Sequence, residues 1–213
     1  MNIAIPLFPR VTALDAIGPY EVLQRLPNAT VTFVGEQTGT VRADNGFLGL
    51  CVDATVDELP APDIVLVPGG IGSFALLSPD NWLVNWVRHA YPTARFVTSV
   101  CTGALVLGAA GLLTGKTATT HWTSYAVLEN FGALPTEERF VEHLTERLIT
   151  AAGVSAGIDM ALRLAELLVD ETAAQAIQLA IEYTPKPPYA GTPASGASSE
   201  VMQRALEYLA VRP

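Results

Sequence analysis

Short apolar, β-branched runs alternate with stretches of helical spacing along most of the chain. Asn2–Pro6 predicts a first strand, a helix follows near Ala16–Leu26, and Thr30–Gly35 predicts a second strand. Val41–Val52 holds Asn45-Gly46 between apolar stretches, the pattern of a hairpin. Asp63-Ile-Val-Leu-Val67 is apolar after its first residue and runs into Pro68-Gly69-Gly70. Such a run suits a strand buried on both faces of a parallel sheet. Trp82, Leu83, Trp86 and Val87 recur at helical spacing within 80–90, and Pro92 ends that helix. Arg95–Val100 predicts the next strand and Thr102–Ala110 the next helix, with Gly111 where a helix C-terminus favours glycine. Leu148–Ala152 and Ser155–Leu168 repeat the order, with Ile158, Ala161, Leu162, Ala165 and Leu168 as the apolar positions of the helix. This alternation predicts an α/β fold with an open, mostly parallel sheet and helices on both faces. Ligands in such folds bind at the carboxyl ends of the strands. Residues 184–199 are rich in Pro, Gly, Ser and Ala and predict a loop, before a terminal helix from about Glu200 to Val211.

Composition narrows the class. A chain of 213 residues fits one domain spanning 1–213, and half of them are hydrophobic, enough for a sizeable core without staples. The two cysteines, Cys51 and Cys101, form no CxxC and are too few for a disulfide scaffold, so reduced thiols in a cytoplasm are expected. Twelve basic against 21 acidic residues leave a charge of −9, which repels phosphate backbones and argues against a nucleic-acid partner. The first residues lack a basic region followed by a long apolar segment, and no apolar run reaches the length of a bilayer span. No membrane association is expected.

The chemistry concentrates at Arg95-Phe-Val-Thr-Ser-Val-Cys101-Thr-Gly-Ala-Leu105. A strand running into a cysteine, then into small residues that open a helix, is the arrangement of a nucleophile elbow. A cysteine there meets exposed N–H groups and the positive end of the helix dipole, both of which favour the thiolate. Oxidation is then expected at Cys101 before Cys51. A buried structural cysteine is the competing reading. Val67-Pro-Gly-Gly-Ile-Gly72 could aim backbone N–H groups at a reacting group, although glycine is common in such turns. Asp15 is either the N-cap of the first helix or an acid at the same sheet end as Cys101. Glu21 is a second acidic candidate, or a structural hydrogen-bonding group within the helix. His121 follows a predicted strand and is either within reach of the site or a structural histidine. No cluster has metal-site spacing.

Asp15-Ala-Ile-Gly-Pro-Tyr-Glu-Val22, Val67-Pro-Gly-Gly70, Ser99-Val-Cys-Thr-Gly-Ala104 and Leu112–Trp122 resemble, in order, the motifs of the ThiJ/PfpI superfamily. Thr150–Asp159 and Glu182–Pro188 extend the resemblance over nearly the whole chain. It implies a flavodoxin-like fold related to class I glutamine amidotransferases. Two branches are similar: isocyanide hydratases, which are dimeric enzymes, and the amidase-like domains of AraC-type regulators. The second branch carries a basic helix-turn-helix region after this domain, and none precedes Pro213, so an enzyme is expected. Thr102 follows the cysteine where protease-like and deglycase-like members have histidine, and no late His-x-Glu element follows His143. Peptidase, deglycase and glutaminase activities are therefore not favoured.

The hydratase resemblance implies Cys101 as nucleophile and Asp15 as acid/base, working through a thioimidate on a small-molecule isocyanide. It implies Thr102 and the Gly70–Ile71 backbone as orienting groups, a homodimer, and neither metal nor cofactor. A small-molecule or redox sensor and a different thiol hydrolase are the alternatives.

Overall fold

The computed structural model describes residues 1–189, 191 and 193–210. Its first half runs β1 (Asn2–Pro6), α1 (Ala13–Leu23), β2 (Thr30–Gly35), β3 (Gly39–Arg42), β4 (Gly49–Val52), β5 (Ala54–Thr55), β6 (Ile64–Val67) and α2 (Trp82–Ala90). There follow β7 (Phe96–Val100), α3 (Gly103–Ala109), β8 (Thr117–Ala118), α4 (Tyr125–Glu129), β9 (Leu134–Pro135) and β10 (Phe140–His143). The last elements are β11 (Leu148–Ala151), α5 (Ala156–Leu168), α6 (Glu171–Ala180) and α7 (Ser199–Ala210).

Seven strands form the main sheet in the order β10-β11-β7-β6-β1-β2-β5. Every neighbouring pair is parallel except β10 with β11. All four residues of β6 and of β11 are buried, as expected of strands covered on both faces. Helices supply that cover, with α1 packed against α5 and α2 against α3. From β1 the chain builds outward through β2 and β5, then returns to build the other way through β6, β7 and β11. The order therefore reverses between β1 and β6, and the loops leaving their carboxyl ends diverge into a crevice.

Most predicted elements are present. Helix α2 starts where the Asn81 side chain accepts from the Leu83 N–H at 3.0 Å. Helix α3 ends with Gly111 at φ 82° and the Leu112 N–H on the Leu107 carbonyl, a Schellman closure. The hairpin is β3–β4, but its loop spans residues 43–48 instead of two residues, with Gly46 at φ 79°. Helix α1 begins at Ala13 rather than Ala16, because extended Thr12 is its N-cap. The 184–199 loop contains a short 3₁₀ turn at Ala194–Gly196, and the predicted helix end at Val211 lies outside the described residues, as do loop positions 190 and 192.

The crossing at the sheet centre leaves no room for a side chain at Gly103. A Cβ there would stand 2.1 Å from the Val67 carbonyl oxygen and 2.9 Å from that of Pro68. Gly103→Ala should therefore destabilise the protein by about 2 kcal/mol or more, lowering Tm by about 5 °C. An unchanged melting curve would show that the β6 exit and the start of α3 do not abut as described.

Candidate active site

Cys101 sits immediately after β7 with φ 57°, in the left-handed region that a non-glycine residue rarely enters. Its N–H donates to the Ala151 and Ala152 carbonyls, both at 3.0 Å, and its carbonyl accepts from Thr120 Oγ1 at 2.8 Å. Backbone conformations of this kind cost about 1–3 kcal/mol and persist only where the surroundings over-determine them, as these bonds do. The side chain is 4% exposed and lies against the backbone N–H groups of Thr102 and Val154.

Asp15 reaches the same point from the first turn of α1 and is fully buried. Its Oδ2 accepts from the Gly69 N–H at 2.9 Å. Oδ1 has no conventional hydrogen-bond partner among the described residues, and the Cys101 thiol lies beside the carboxyl. Burial raises the carboxyl from its ordinary 3.8 to about 7; the Gly69 N–H and the thiol oppose the rise, and the charge of Asp44 adds to it. Burial also pushes the Cys101 thiol up, and the Asp15 carboxylate adds to that, against the Thr102 and Val154 amides.

Thr102 closes the first turn behind the thiol. Its Oγ1 accepts from the Gly70 N–H at 2.8 Å and donates to the Gly70 carbonyl at 3.1 Å. Ser73 Oγ lies 3.0 Å from Thr102 Oγ1 and 2.8 Å from the same carbonyl. Cys101 and Thr102 stand at the buried end of a cavity of about 490 Å³, whose sides include Ile71, Phe74, Val154, Leu206 and Leu209. Among the described residues no group of three His, Cys, Asp or Glu side chains could hold a metal ion, and no helix is long and apolar enough to cross a membrane.

Residues 1–167 match the DJ-1/PfpI family. The chain belongs to that family. It is 43% identical to the isonitrile hydratase of Pseudomonas putida, over all of this chain and 93% of the relative. It is 29% identical to the HTH-type transcriptional regulator CdhR of Pseudomonas aeruginosa, over 75% of this chain and 47% of the regulator. The crystal structure of a ThiJ/PfpI family protein from Pseudomonas syringae superposes with a TM-score of 0.90 at 35% identity, covering 98% of this chain and 86% of the other.

Within this family frame the structure sorts the candidates. Cys101, Asp15, Thr102, Gly70, Ile71 and His121 meet around one cavity or its buried end. Asp15 is not the N-cap of α1; Thr12 is, three residues earlier, and this frees the Asp15 side chain to turn inward. Gly70 lines the cavity, and its N–H donates to Thr102 Oγ1 at 2.8 Å. His121 lines the cavity with Nδ1 2.7 Å from Thr123 Oγ1, in space left by Gly153, where a Cβ would stand 2.8 Å from the ring. Glu21 is not part of this cavity. It lies half-exposed, paired with Arg25 at 2.8 Å, beside a separate depression lined by Leu14, Gly18 and Ile158.

The helix dipole does not decide the thiol's state, because burial and Asp15 act against it. Access runs against the expected order of oxidation too, since Cys51 is exposed and Cys101 buried. The sequence reading missed Gly69 as donor to the carboxyl, Ser73 and Thr120 as supports, and Val154, which stands at φ 46° beside the sulfur. It also missed the apolar stripe of α7, although Met202, Ala205, Leu206 and Leu209 carry a helical signal that could have been read.

Two measurements follow from the pair. A carboxyl whose folded pKa lies above its unfolded value stabilises the fold below the unfolded value and loses that contribution as pH rises through the folded one. From 3.8 to about 7 this amounts to about 4 kcal/mol. Asp15→Asn lacks the dependence, so its stability relative to wild type in urea unfolding should rise by about that much between pH 4 and pH 8; parallel curves would contradict the burial. In a Cys51→Ser background, Asp15→Asn should also lower the midpoint of thiolate absorbance. A higher midpoint would mean that Asp15 supports the thiolate instead of opposing it.

Proposed function

We propose that this protein hydrates isonitriles (isocyanides) to N-substituted formamides, with Cys101 as nucleophile and Asp15 as proton carrier. The observation that carries the reading is a buried carboxyl, raised to about 7, held against a buried thiol at the end of a largely apolar cavity. The full-length similarity to an isonitrile hydratase supports the same reaction.

The chemistry follows from the groups. An isonitrile has no acidic proton, and its terminal carbon bonds to a soft nucleophile while taking up a proton. Ionised Asp15 accepts the Cys101 proton as sulfur bonds to that carbon, and returns it to the carbon, giving a thioimidate. Water then adds to the thioimidate carbon, and Asp15 takes one of its protons and passes it to the nitrogen. The carbon–sulfur bond breaks as the carbonyl forms, Asp15 carries the hydroxyl proton to the sulfur, and the formamide leaves with the thiol and the carboxylate restored. The net reaction adds one water to one isonitrile. The Thr102 and Val154 amides beside the sulfur stabilise the charge that passes through it, and Thr102, tied to Gly70 and Ser73, keeps the elbow in register. A second reading, ligand sensing without turnover, draws on the similarity to the transcriptional regulator.

Formamide formation from an alkyl or aryl isocyanide tests the proposal. Cys101→Ala should form none, and undiminished formamide production by that variant would end the nucleophile assignment. Asp15→Asn should lower kcat by about 10²-fold or more. Attack by the neutral thiol needs Asp15 ionised, so wild-type kcat/KM should rise with pH through about 7, a step absent from Asp15→Asn. Ligand-dependent stabilisation of the wild type without any formamide would favour the sensor.

A further inference from the structure

Helix α7 is amphipathic in an unusual setting. Met202, Ala205, Leu206 and Leu209 recur at helical spacing, the pattern that normally binds a helix to a core. Gln203, Arg204 and Glu207 occupy other positions and pair among themselves, Gln203 with Glu207 at 3.2 Å and Arg204 with Glu207 at 3.6 Å. Yet no residue of α7 is buried, and Leu206 is 48% exposed. The stripe instead borders the cavity that ends at Cys101, where Leu206, Leu209 and Ala210 are lining residues. Ile71 and Phe74, which line the same cavity, are also 46% and 40% exposed. Apolar side chains with this much uncovered surface around one cavity gain by burying an apolar group there.

We infer that α7 is the substrate-selecting wall of the site, with Leu206 and Leu209 setting how large an apolar isonitrile substituent can lie beside Cys101. This rests on the hydratase reading given above. The wall nearest the elbow is held in place: Thr102 is bonded to Gly70 and Ser73, and Ile71 and Phe74 belong to the turn that Ser73 ties. Helix α7 has no such bonds to Cys101 or Asp15, so its side chains can change the room for a substituent without moving the reacting groups. A ring-sized substituent covers the leucines; a methyl group leaves them wet.

The test compares phenyl isocyanide with methyl isocyanide. Leu206→Trp and Leu209→Trp, which fill the cavity from α7, should lower the phenyl-to-methyl ratio of kcat/KM by about tenfold or more, the scale at which apolar pockets discriminate size. Gln203→Trp, on the polar side of the same helix, should leave the ratio within about twofold. A parallel assay does not depend on isonitrile chemistry. In a Cys51→Ser background, the ratio of Cys101 alkylation by N-phenyl-iodoacetamide to that by iodoacetamide should fall in the two tryptophan variants and rise in Leu206→Ala. If the wild type consumes neither isocyanide, the hydratase reading fails and the alkylation ratios still decide the wall. Ratios unchanged within twofold in both tryptophan variants would overturn the inference, as would an equal fall in Gln203→Trp.

Discussion

A carboxyl and a thiol, both taken out of water and set against each other, are the constraint around which the rest of this site is organised. Neither group can easily ionise alone: burial opposes both charges, and each would repel the other's. What the fold supplies in compensation is sparse and directional. One backbone N–H, from Gly69, reaches Asp15, and two, from Thr102 and Val154, face the sulfur. These donors come from the ends of β6, β7 and β11, while the carboxyl comes from the helix after β1. The reversal of strand order between β1 and β6 is what lets four separate loops converge on two side chains.

Convergence at that density dictates glycine. A Cβ at Gly69 would lie 2.4 Å from the Thr102 nitrogen, 2.6 Å from its Oγ1 and 3.0 Å from Asp15 Oδ2. Position 69 thus touches the Thr102 backbone, the Thr102 hydroxyl and the Asp15 carboxyl at once, and any side chain would push the three apart. Gly70 meets a second limit, with φ 129° and a Cβ position 2.4 Å from the Arg10 carbonyl oxygen. Consecutive glycines after β6 therefore act chiefly as spacers that permit close approach. Their value as donors is secondary, and one of those donors is already taken by Thr102.

The same physics explains what could be read from the sequence. Strands β6 and β7 and helix α3 are continuous apolar or small-residue segments, with glycine after β6 and around α3, so local pattern and burial agree and the elbow is legible at Cys101. Strand β10 was illegible because Phe140, Val141, Glu142 and His143 are all half-buried at the sheet edge, with no alternation to read. Helix α6 buries Ile177 alone, and so carries little apolar stripe. Asp15 shows the limit most clearly. An acidic residue near a helix start looks like a cap from sequence. Only the position of Thr12, and the arrival of Gly69 from more than fifty residues away, turn it into a buried acid. Val154 had no local signal at all, since its role is to place an N–H beside a sulfur supplied by another strand.

The way the donors are spent bears on which thiol chemistry suits the site. Acyl transfer from an amide or peptide gathers negative charge on a carbonyl oxygen, and is helped most by N–H groups preorganised around that oxygen. Here the Gly70 N–H is bound to Thr102, the Gly69 N–H to Asp15, and the Thr102 and Val154 amides lie against the sulfur itself. Addition to an isonitrile makes a different demand. No carbonyl oxygen is present in the first step, and the charge that builds on the attacked carbon is discharged by a proton. A carboxyl poised near 7 beside the thiol can take the proton from sulfur and deliver it to carbon at the buried end of one cavity. In the proposed reaction its high pKa and its contact with the Cys101 thiol serve that transfer directly. The proposed hydration thus draws on the buried carboxyl beside the thiol more than on the cysteine elbow alone, which many thiol chemistries share.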